Sequence, residues 1–131
     1  MSTMPSAAAR DYVRSAVLSA TPLRLIVLLY EGAIRQLRMA NRRLEEGDDR
    51  GRHVALGRAL DIVGELVQSL DPKPAPEIAA DIERHYVFVQ RCILQGNLER
   101  SREKIDAAIR VLDILRSAFA EVERTHPQVS R

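Results

Sequence analysis

The sequence has little or none of several residue types that normally show how a protein is held together. It contains one cysteine, Cys92, and no tryptophan, and aromatic residues make up 4% of the chain. A single cysteine excludes an internal disulfide and is typical of a reducing compartment. Lysine occurs only at Lys73 and Lys104, so arginine carries nearly all the positive charge. Any core must therefore be aliphatic.

Long apolar runs are also missing. The densest run, from Leu25 to Tyr30, is flanked by Arg24 and Glu31, whereas a membrane span needs about 18 or more apolar residues. The first residues lack the basic start and apolar core of a signal peptide. These absences predict a cytoplasmic protein without membrane insertion. With 131 residues, of which 46% are hydrophobic, the chain has the size of one domain.

Helical periodicity is the main feature that is present. In four segments, apolar residues recur at spacings of three and four, which is typical of amphipathic helices. The first helix is predicted to begin at Pro22. The later breaks are a polar connection at 47–51, a proline-rich loop at 71–76 and a stop at Gly96 and Asn97, after which the fourth helix begins.

Four helices with short connections pack most easily side by side and antiparallel. The sequence therefore predicts an all-α fold, an antiparallel up-down four-helix bundle formed by residues 22–125. Residues 1–21 are predicted to be an N-terminal arm, or a short helix, that packs on the bundle. Residues 126–131 are predicted to be a disordered tail.

The first helix carries more apolar surface than one core needs, because the run from Leu25 to Tyr30 covers its whole circumference. A second row lies beside the main stripe of the fourth helix. These rows belong either to a wide core or to a groove for an amphipathic partner helix, and periodicity leaves both interpretations open. Gly32 serves either close helix approach or access for a partner backbone. The candidate partner-binding residues are Tyr12, Val17, Leu18, Leu25, Leu28, Leu29, Gly32, Ile62, Leu66, Val111 and Ile114.

Several short motifs occur in an informative order. A tyrosine at position 12 precedes Ser-Ala-Thr-Pro at 19–22 and Leu-Tyr-Glu-Gly-Ala at 29–33, and Glu-Ile-Ala at 77–79 precedes a run from Arg91 to Leu98. In this order and spacing the motifs resemble the FliS family of flagellar secretion chaperones, over about residues 10–123. The chain departs from the family pattern at three points. It has Ala75-Pro76 in place of Gly-Gly, Cys92 in place of a second arginine, and Phe119 where a tryptophan is common.

The resemblance implies a specific cellular role. FliS chaperones bind the disordered C-terminal segment of flagellin, prevent its premature polymerisation and assist its delivery to the flagellar type III export gate. The resemblance also marks Tyr12 as the family's arm tyrosine, linked with arm docking or recognition of the export gate. The change at Phe119 bears on the partner surface.

Other functions have weaker support in the residues. The best nucleic-acid candidate is the arginine cluster at 42, 43, 50 and 52, but carboxylates at 45, 46, 48 and 49 largely cancel its charge. An Arg-rich helical nucleic-acid-binding or regulatory protein is the alternative, and an adaptor for another flagellar regulatory protein is a third hypothesis. Only His126 follows a glutamate at the spacing of bundle metal sites, and no catalytic motif occurs. No enzymatic activity, metal or other cofactor is therefore expected.

Overall fold

The structure is a computed structural model that describes residues 23–125, and over this range the chain forms four α-helices. They are α1 (Leu23–Glu45), α2 (Asp49–Ser69), α3 (Pro76–Glu99) and α4 (Arg102–Thr125). Packing follows a ring, in which α1 and α3 each lie beside both α2 and α4. The predicted arm (1–21), helix start at Pro22 and tail (126–131) lie outside the described residues.

Polar contacts between α1 and α4 show that these helices run in opposite directions. Arg24, near the start of α1, donates to Glu123 near the end of α4 at 2.9 Å. Asn41, near the end of α1, donates to Asp106 near the start of α4 at 2.8 Å. The short connections between the other helices give the same alternation. The prediction of an all-α antiparallel bundle is therefore confirmed.

The core is aliphatic, as predicted, with one small aromatic group at its centre. The Tyr30 and Tyr86 hydroxyls are 2.6 Å apart in a buried hydrogen bond that joins α1 to α3 across the bundle. The Tyr30 ring also packs against Phe119 of α4, with 5.1 Å between ring centroids. Since each buried hydroxyl has a partner, these tyrosines add packing without an unsatisfied polar group. The largest fully buried aliphatic side chains are Leu23, Leu37, Leu56, Leu66, Ile82, Ile93, Ile105, Leu112 and Leu115.

The connection between α1 and α2 is tighter than the sequence predicted. Gly47 turns the chain with φ of +73°, a conformation that glycine adopts without steric cost. The Asp48 side chain then accepts a hydrogen bond from the Gly51 backbone N–H at 2.9 Å and caps α2. This cap starts the helix at Asp49. The predicted connection at 47–51 is therefore wrong for residues 49–51, which are helical.

The predicted stop at Gly96 and Asn97 is also wrong. Helix α3 continues to Glu99, and the chain turns at Arg100, which has φ of +49°. A methyl group at Gly96 would lie 3.0 Å from Ile105 Cγ1, so the missing side chain lets α4 approach α3 rather than ending the helix. Leu98, predicted to open the fourth helix, belongs to α3 and is 83% exposed.

The loop between α2 and α3 agrees with the prediction. Residues 70–75 lie outside the helices, and Pro76 occupies the first turn of α3, where its missing N–H costs no helical hydrogen bond. The Asp71 carboxylate accepts a hydrogen bond from the Lys73 backbone N–H at 3.0 Å, which fixes the turn.

A polar network joins the helices at the end of the bundle that holds the α1–α2 and α3–α4 connections. Asp49 accepts hydrogen bonds from Arg52 and from Arg100, the latter at 3.0 and 3.1 Å. The nearly buried Arg52 also donates to Asn97 at 3.1 Å. The hydrogen bond from Arg100, followed by that from Arg52, lowers the pKa of Asp49 to about 2. On the α1–α4 side of this end, Arg102 bridges to Glu45.

Candidate partner-binding surface

An apolar strip follows the outer side of α1 next to α2. We define the α1–α2 strip as Leu25, Leu28, Leu29 and Gly32 of α1 together with Ile62 of α2. The three leucines lie seven, four and three residues before Gly32, so the four residues share one side of the helix. Leu29 and Ile62 partly pack against the core, whereas Leu25 and Leu28 are 51% and 43% exposed. The strip therefore presents leucine side chains that the core does not use.

Gly32 of α1 faces Ile62 of α2 within the strip. A methyl group added there would be 3.5 Å from Ile62 Cδ1 and 3.6 Å from Arg35 Nη2, which is ordinary van der Waals contact. Close helix approach therefore does not require glycine at this position. Gly32 is itself buried, so this conformation does not expose its backbone. Access for a partner backbone, the other explanation drawn from the sequence, stays a prediction.

Leu66 differs from the other candidates on α2. Its side chain is 1% exposed and belongs to the core. It is therefore not available to a partner in this conformation, whereas Ile62, one turn earlier, is half-buried.

Val111 and Ile114 lie on a different side of the bundle from the α1–α2 strip. Lys104 of α4 contacts Gln95 of α3 at 2.9 Å, and Val111 lies two turns further along the same side of α4. Ile114 is 46% exposed and Val111 is half-buried. The structure therefore does not bring these two residues together with the leucines of α1. Tyr12, Val17 and Leu18 lie outside the described residues.

Further apolar surface on α3 was missed by the sequence reasoning. Val87 and Phe88 are each 44% exposed, and Leu94 and Leu98 are 58% and 83% exposed. Val87, Leu94 and Leu98 recur at spacings of seven and four, which places them in one row. The signal was the run from Tyr86 to Val89, which is apolar on all sides like the run that marked α1.

An open cavity of about 390 Å³ lies between α1 and α2, beyond Gly32 toward their connection. We call it the arginine pocket. It combines guanidinium groups with apolar wall residues. Its lining consists of Gln36, Met39, Arg43, Asp48, Arg50, Gly51, Val54, Ala55 and Arg58.

The arginine cluster at the α1–α2 connection is only partly neutralised. Arg43 bridges to Glu46 at 2.8 Å and lies 3.8 Å from Asp48, while Arg52 bridges to Asp49. The predicted cancellation is therefore confirmed for these two arginines. Arg50 forms no ion pair within residues 23–125.

The described residues contain no cluster that could hold a metal ion, and Cys92 is buried among them. No group of three or more His, Cys, Asp or Glu side chains in residues 23–125 is arranged to hold a metal ion. Cys92 is 5% exposed, and burial raises the pKa of its thiol, which disfavours the reactive thiolate. Over the same range, none of the helices has the length and apolar character required to cross a membrane.

The chain is similar to known proteins of one family. The sequence model of the family described as "Flagellar protein FliS" matches residues 4–126. The chain is 33% identical to the flagellar secretion chaperone FliS of Salmonella typhimurium over 111 residues, which cover 84% of this chain and 82% of that protein. It is 30% identical to the FliS protein of Escherichia coli K12, with 75% of each chain covered, and 26% identical to that of Vibrio cholerae, with 84% and 81% covered. The chain belongs to the FliS family of flagellar secretion chaperones.

Proposed function

We propose that this chaperone binds the disordered C-terminal segment of flagellin in the cytoplasm, prevents its premature polymerisation and assists its delivery to the export gate. The observation that carries the proposal is the pair of exposed leucines, Leu25 and Leu28, beside Leu29 and Ile62. An amphipathic segment that folds on binding can bury its apolar face against such a strip. Coupled folding lets the segment cover a large area at moderate affinity, which suits release at the export gate.

The N-terminal arm is proposed to cover the same strip in the free protein. Residues 1–21 precede α1 in the sequence, so the arm is tethered to the end of the helix that carries Leu25 and Leu28. Tyr12, Val17 and Leu18 are its apolar contact residues, and Tyr12 combines a ring that packs with a hydroxyl that stays in water. Covering the leucines would reduce self-association of the empty chaperone.

A calorimetric titration with a flagellin C-terminal peptide tests the binding proposal. Micromolar protein should give a saturable heat of binding, and Leu28→Ser should weaken the affinity about tenfold because an apolar contact is lost. Leu94→Ser is the matched control, since it removes a leucine of similar exposure, 58%, from α3. Absence of heat from the unmodified protein would contradict the function, and equal losses in the two variants would contradict the assignment of the surface.

Removal of residues 1–18 tests the covering arm. The truncated protein should expose the α1–α2 strip and dimerise at lower concentration than the full chain, as measured by analytical ultracentrifugation. Leu28→Ser in the truncated protein should reverse that change. The arm does not cover the strip if truncation leaves self-association unchanged.

Native mass spectrometry with the cognate flagellin identifies the partner and the stoichiometry together. A one-to-one complex is expected, because the strip offers one apolar row of limited length. If flagellin is not retained while another flagellar regulatory protein is captured, the adaptor hypothesis replaces the flagellin chaperone.

A further inference from the structure

The α1–α2 strip and the arginine pocket form one continuous surface with two chemically different halves. On α1 the apolar half ends at Gly32, and Gln36 and Met39 of the pocket follow at the next one and two turns. On α2, Arg58 lies one turn before Ile62 and faces the same side. A segment bound to the leucines can therefore continue into the pocket without leaving the groove.

The pocket carries a surplus of positive charge. Of its three arginines, Arg43 is already paired with Glu46 and lies 3.8 Å from Asp48, the pocket's one carboxylate, which also caps α2. The side chains of Arg50 and Arg58 form no hydrogen bond or ion pair with any residue from 23 to 125. Both residues are exposed, so their guanidinium groups are available to a ligand.

Two carboxylates on α2 lie near this face but do not neutralise it. Asp61 and Glu65 are exposed, and neither lies within ion-pair distance of Arg58 or of any other described residue. Asp61 follows Arg58 by three residues, so it reduces the local potential without occupying the guanidinium donors. The donors that can bind a carboxylate are therefore still open.

The walls of the pocket favour a polypeptide over a simple anion. Val54 is 41% exposed, and it lies with Met39 and Ala55 in the pocket lining. A phosphate backbone gains nothing from these apolar groups, whereas a peptide side chain with a methylene stem can pack on them and place its carboxylate on an arginine. Charge complementarity and apolar contact therefore point to the same kind of occupant.

We infer that the arginine pocket binds an acidic side chain of the same segment whose apolar residues occupy the α1–α2 strip. This inference rests on the proposed function, because it specifies the chemistry of the flagellin segment. Gly32 and Met39 are seven residues apart, so the two halves are separated by about 10 Å along the helix. If the bound segment is helical, an Asp or Glu follows or precedes its apolar contact residues by about two turns.

Charge reversal on both partners tests this pairing. Arg58→Glu should weaken binding of the flagellin C-terminal peptide about tenfold, and a peptide with the facing Asp or Glu changed to Arg should regain affinity for that variant. The affinity of the unmodified pair should fall with added salt, and Arg58→Glu should reduce this dependence. Lys73→Glu, which makes the same charge change in the α2–α3 loop, should leave binding unchanged. Thermal unfolding of each variant verifies that the fold is retained.

The possible outcomes separate this inference from the proposed function. If the unmodified protein binds no flagellin peptide, the proposed function fails first. If it binds and Leu28→Ser weakens binding, but Arg58→Glu and Arg50→Glu do not, only the arginine pocket is wrong. If a DNA or RNA oligonucleotide displaces the peptide and Arg58→Glu abolishes oligonucleotide binding, the pocket recognises phosphate and the inference is overturned.

Discussion

The two ends of the bundle are fixed in different ways. At the connection end, which holds the α1–α2 and α3–α4 connections, the network of Asp49, Arg52, Asn97 and Arg100 joins α2 to α3 and the α3–α4 turn. At the open end, which holds the start of α1 and the α2–α3 loop, the described residues form one inter-helix ion pair, the bridge from Arg24 to Glu123. A network of directional contacts thus holds one end, while the other has a single exposed bridge and depends mainly on apolar packing.

This difference has a consequence for function, because the exposed leucines of the α1–α2 strip lie toward the open end. Apolar packing is non-directional and tolerates small helix shifts better than a hydrogen-bond network with fixed distances. A chaperone surface must accept a segment that folds as it binds. We therefore expect the connection end to act as the rigid base and the open end to adjust to the partner.

The largest difference in stability between the two ends is expected when the buried arginine, Arg52, is removed. Arg52→Met keeps most of the packed stem but leaves Asn97 without its donor, and should lower the free energy of unfolding by about 2 kcal/mol. The matched change at the open end, Arg24→Met, breaks an exposed bridge that contributes about 0–1 kcal/mol. Urea unfolding of both variants measures the difference. Equal losses would show that the two ends are not fixed differently.

Acid should weaken the connection end before it affects the core. The pKa of Asp49 is about 2 in the folded protein and 3.8 without its partners, so the folded state binds fewer protons in this range. The stabilisation is complete above about pH 5 and is lost progressively as the pH falls through 3.8 toward 2.

Asp49→Asn should remove this part of the pH dependence. Urea unfolding between pH 5 and pH 2.5 gives the free energy of unfolding of the variant and of the unmodified protein. The difference between these two free energies should become smaller as the pH falls. Since Asp113 also forms an exposed bridge, to Arg116 at 2.9 Å, Asp113→Asn is the control. A difference that stays constant would show that the Asp49 network does not stabilise the fold.

The helices and the core could be predicted from sequence because burial imposes a period of 3.6 residues. Tyr30, Leu37, Leu112 and Phe119 are buried as the apolar spacing indicated. Gly96 was misread because a missing side chain serves equally to end a helix and to admit a neighbouring one. Only the position of Ile105 against it decides between these roles.

The candidate surface was less predictable than the fold. Leu25 and Leu66 are the same residue type, yet one is half exposed and the other belongs to the core. Their difference depends on how each helix is rotated toward its neighbours, and a local pattern does not contain that rotation. The pairing state of Arg50 and Arg58 depends on the same long-range geometry, so the sequence indicated an arginine cluster that includes Arg43 and Arg50 but not the pocket or the place of Arg58 in it.

Two helical glycines provide a smaller test of packing at the two ends. Gly32→Ala places a methyl at ordinary contact distance, 3.5 Å from Ile62 Cδ1, and should raise the free energy of unfolding by about 1 kcal/mol through helix propensity. Gly96→Ala places it 3.0 Å from Ile105 Cγ1, so a packing cost offsets the same gain. In thermal unfolding, the melting temperature of Gly32→Ala should therefore be higher than that of Gly96→Ala. The opposite ranking would mean that α4 can move away from α3 more easily than α2 can from α1.

The smallest effect on stability is expected where the effect on binding is largest. Leu28 is 43% exposed, so Leu28→Ser should change the free energy of unfolding by no more than about 0.5 kcal/mol. The same substitution should weaken the affinity for the flagellin peptide about tenfold. Denaturant unfolding and calorimetry on the same sample measure both. Leu66→Ala, in the core, should show the reverse, with a loss of about 2–5 kcal/mol in stability. A large stability loss for Leu28→Ser would mean that the strip supports the fold at the open end, because a side chain kept for a partner contributes little to the free chaperone.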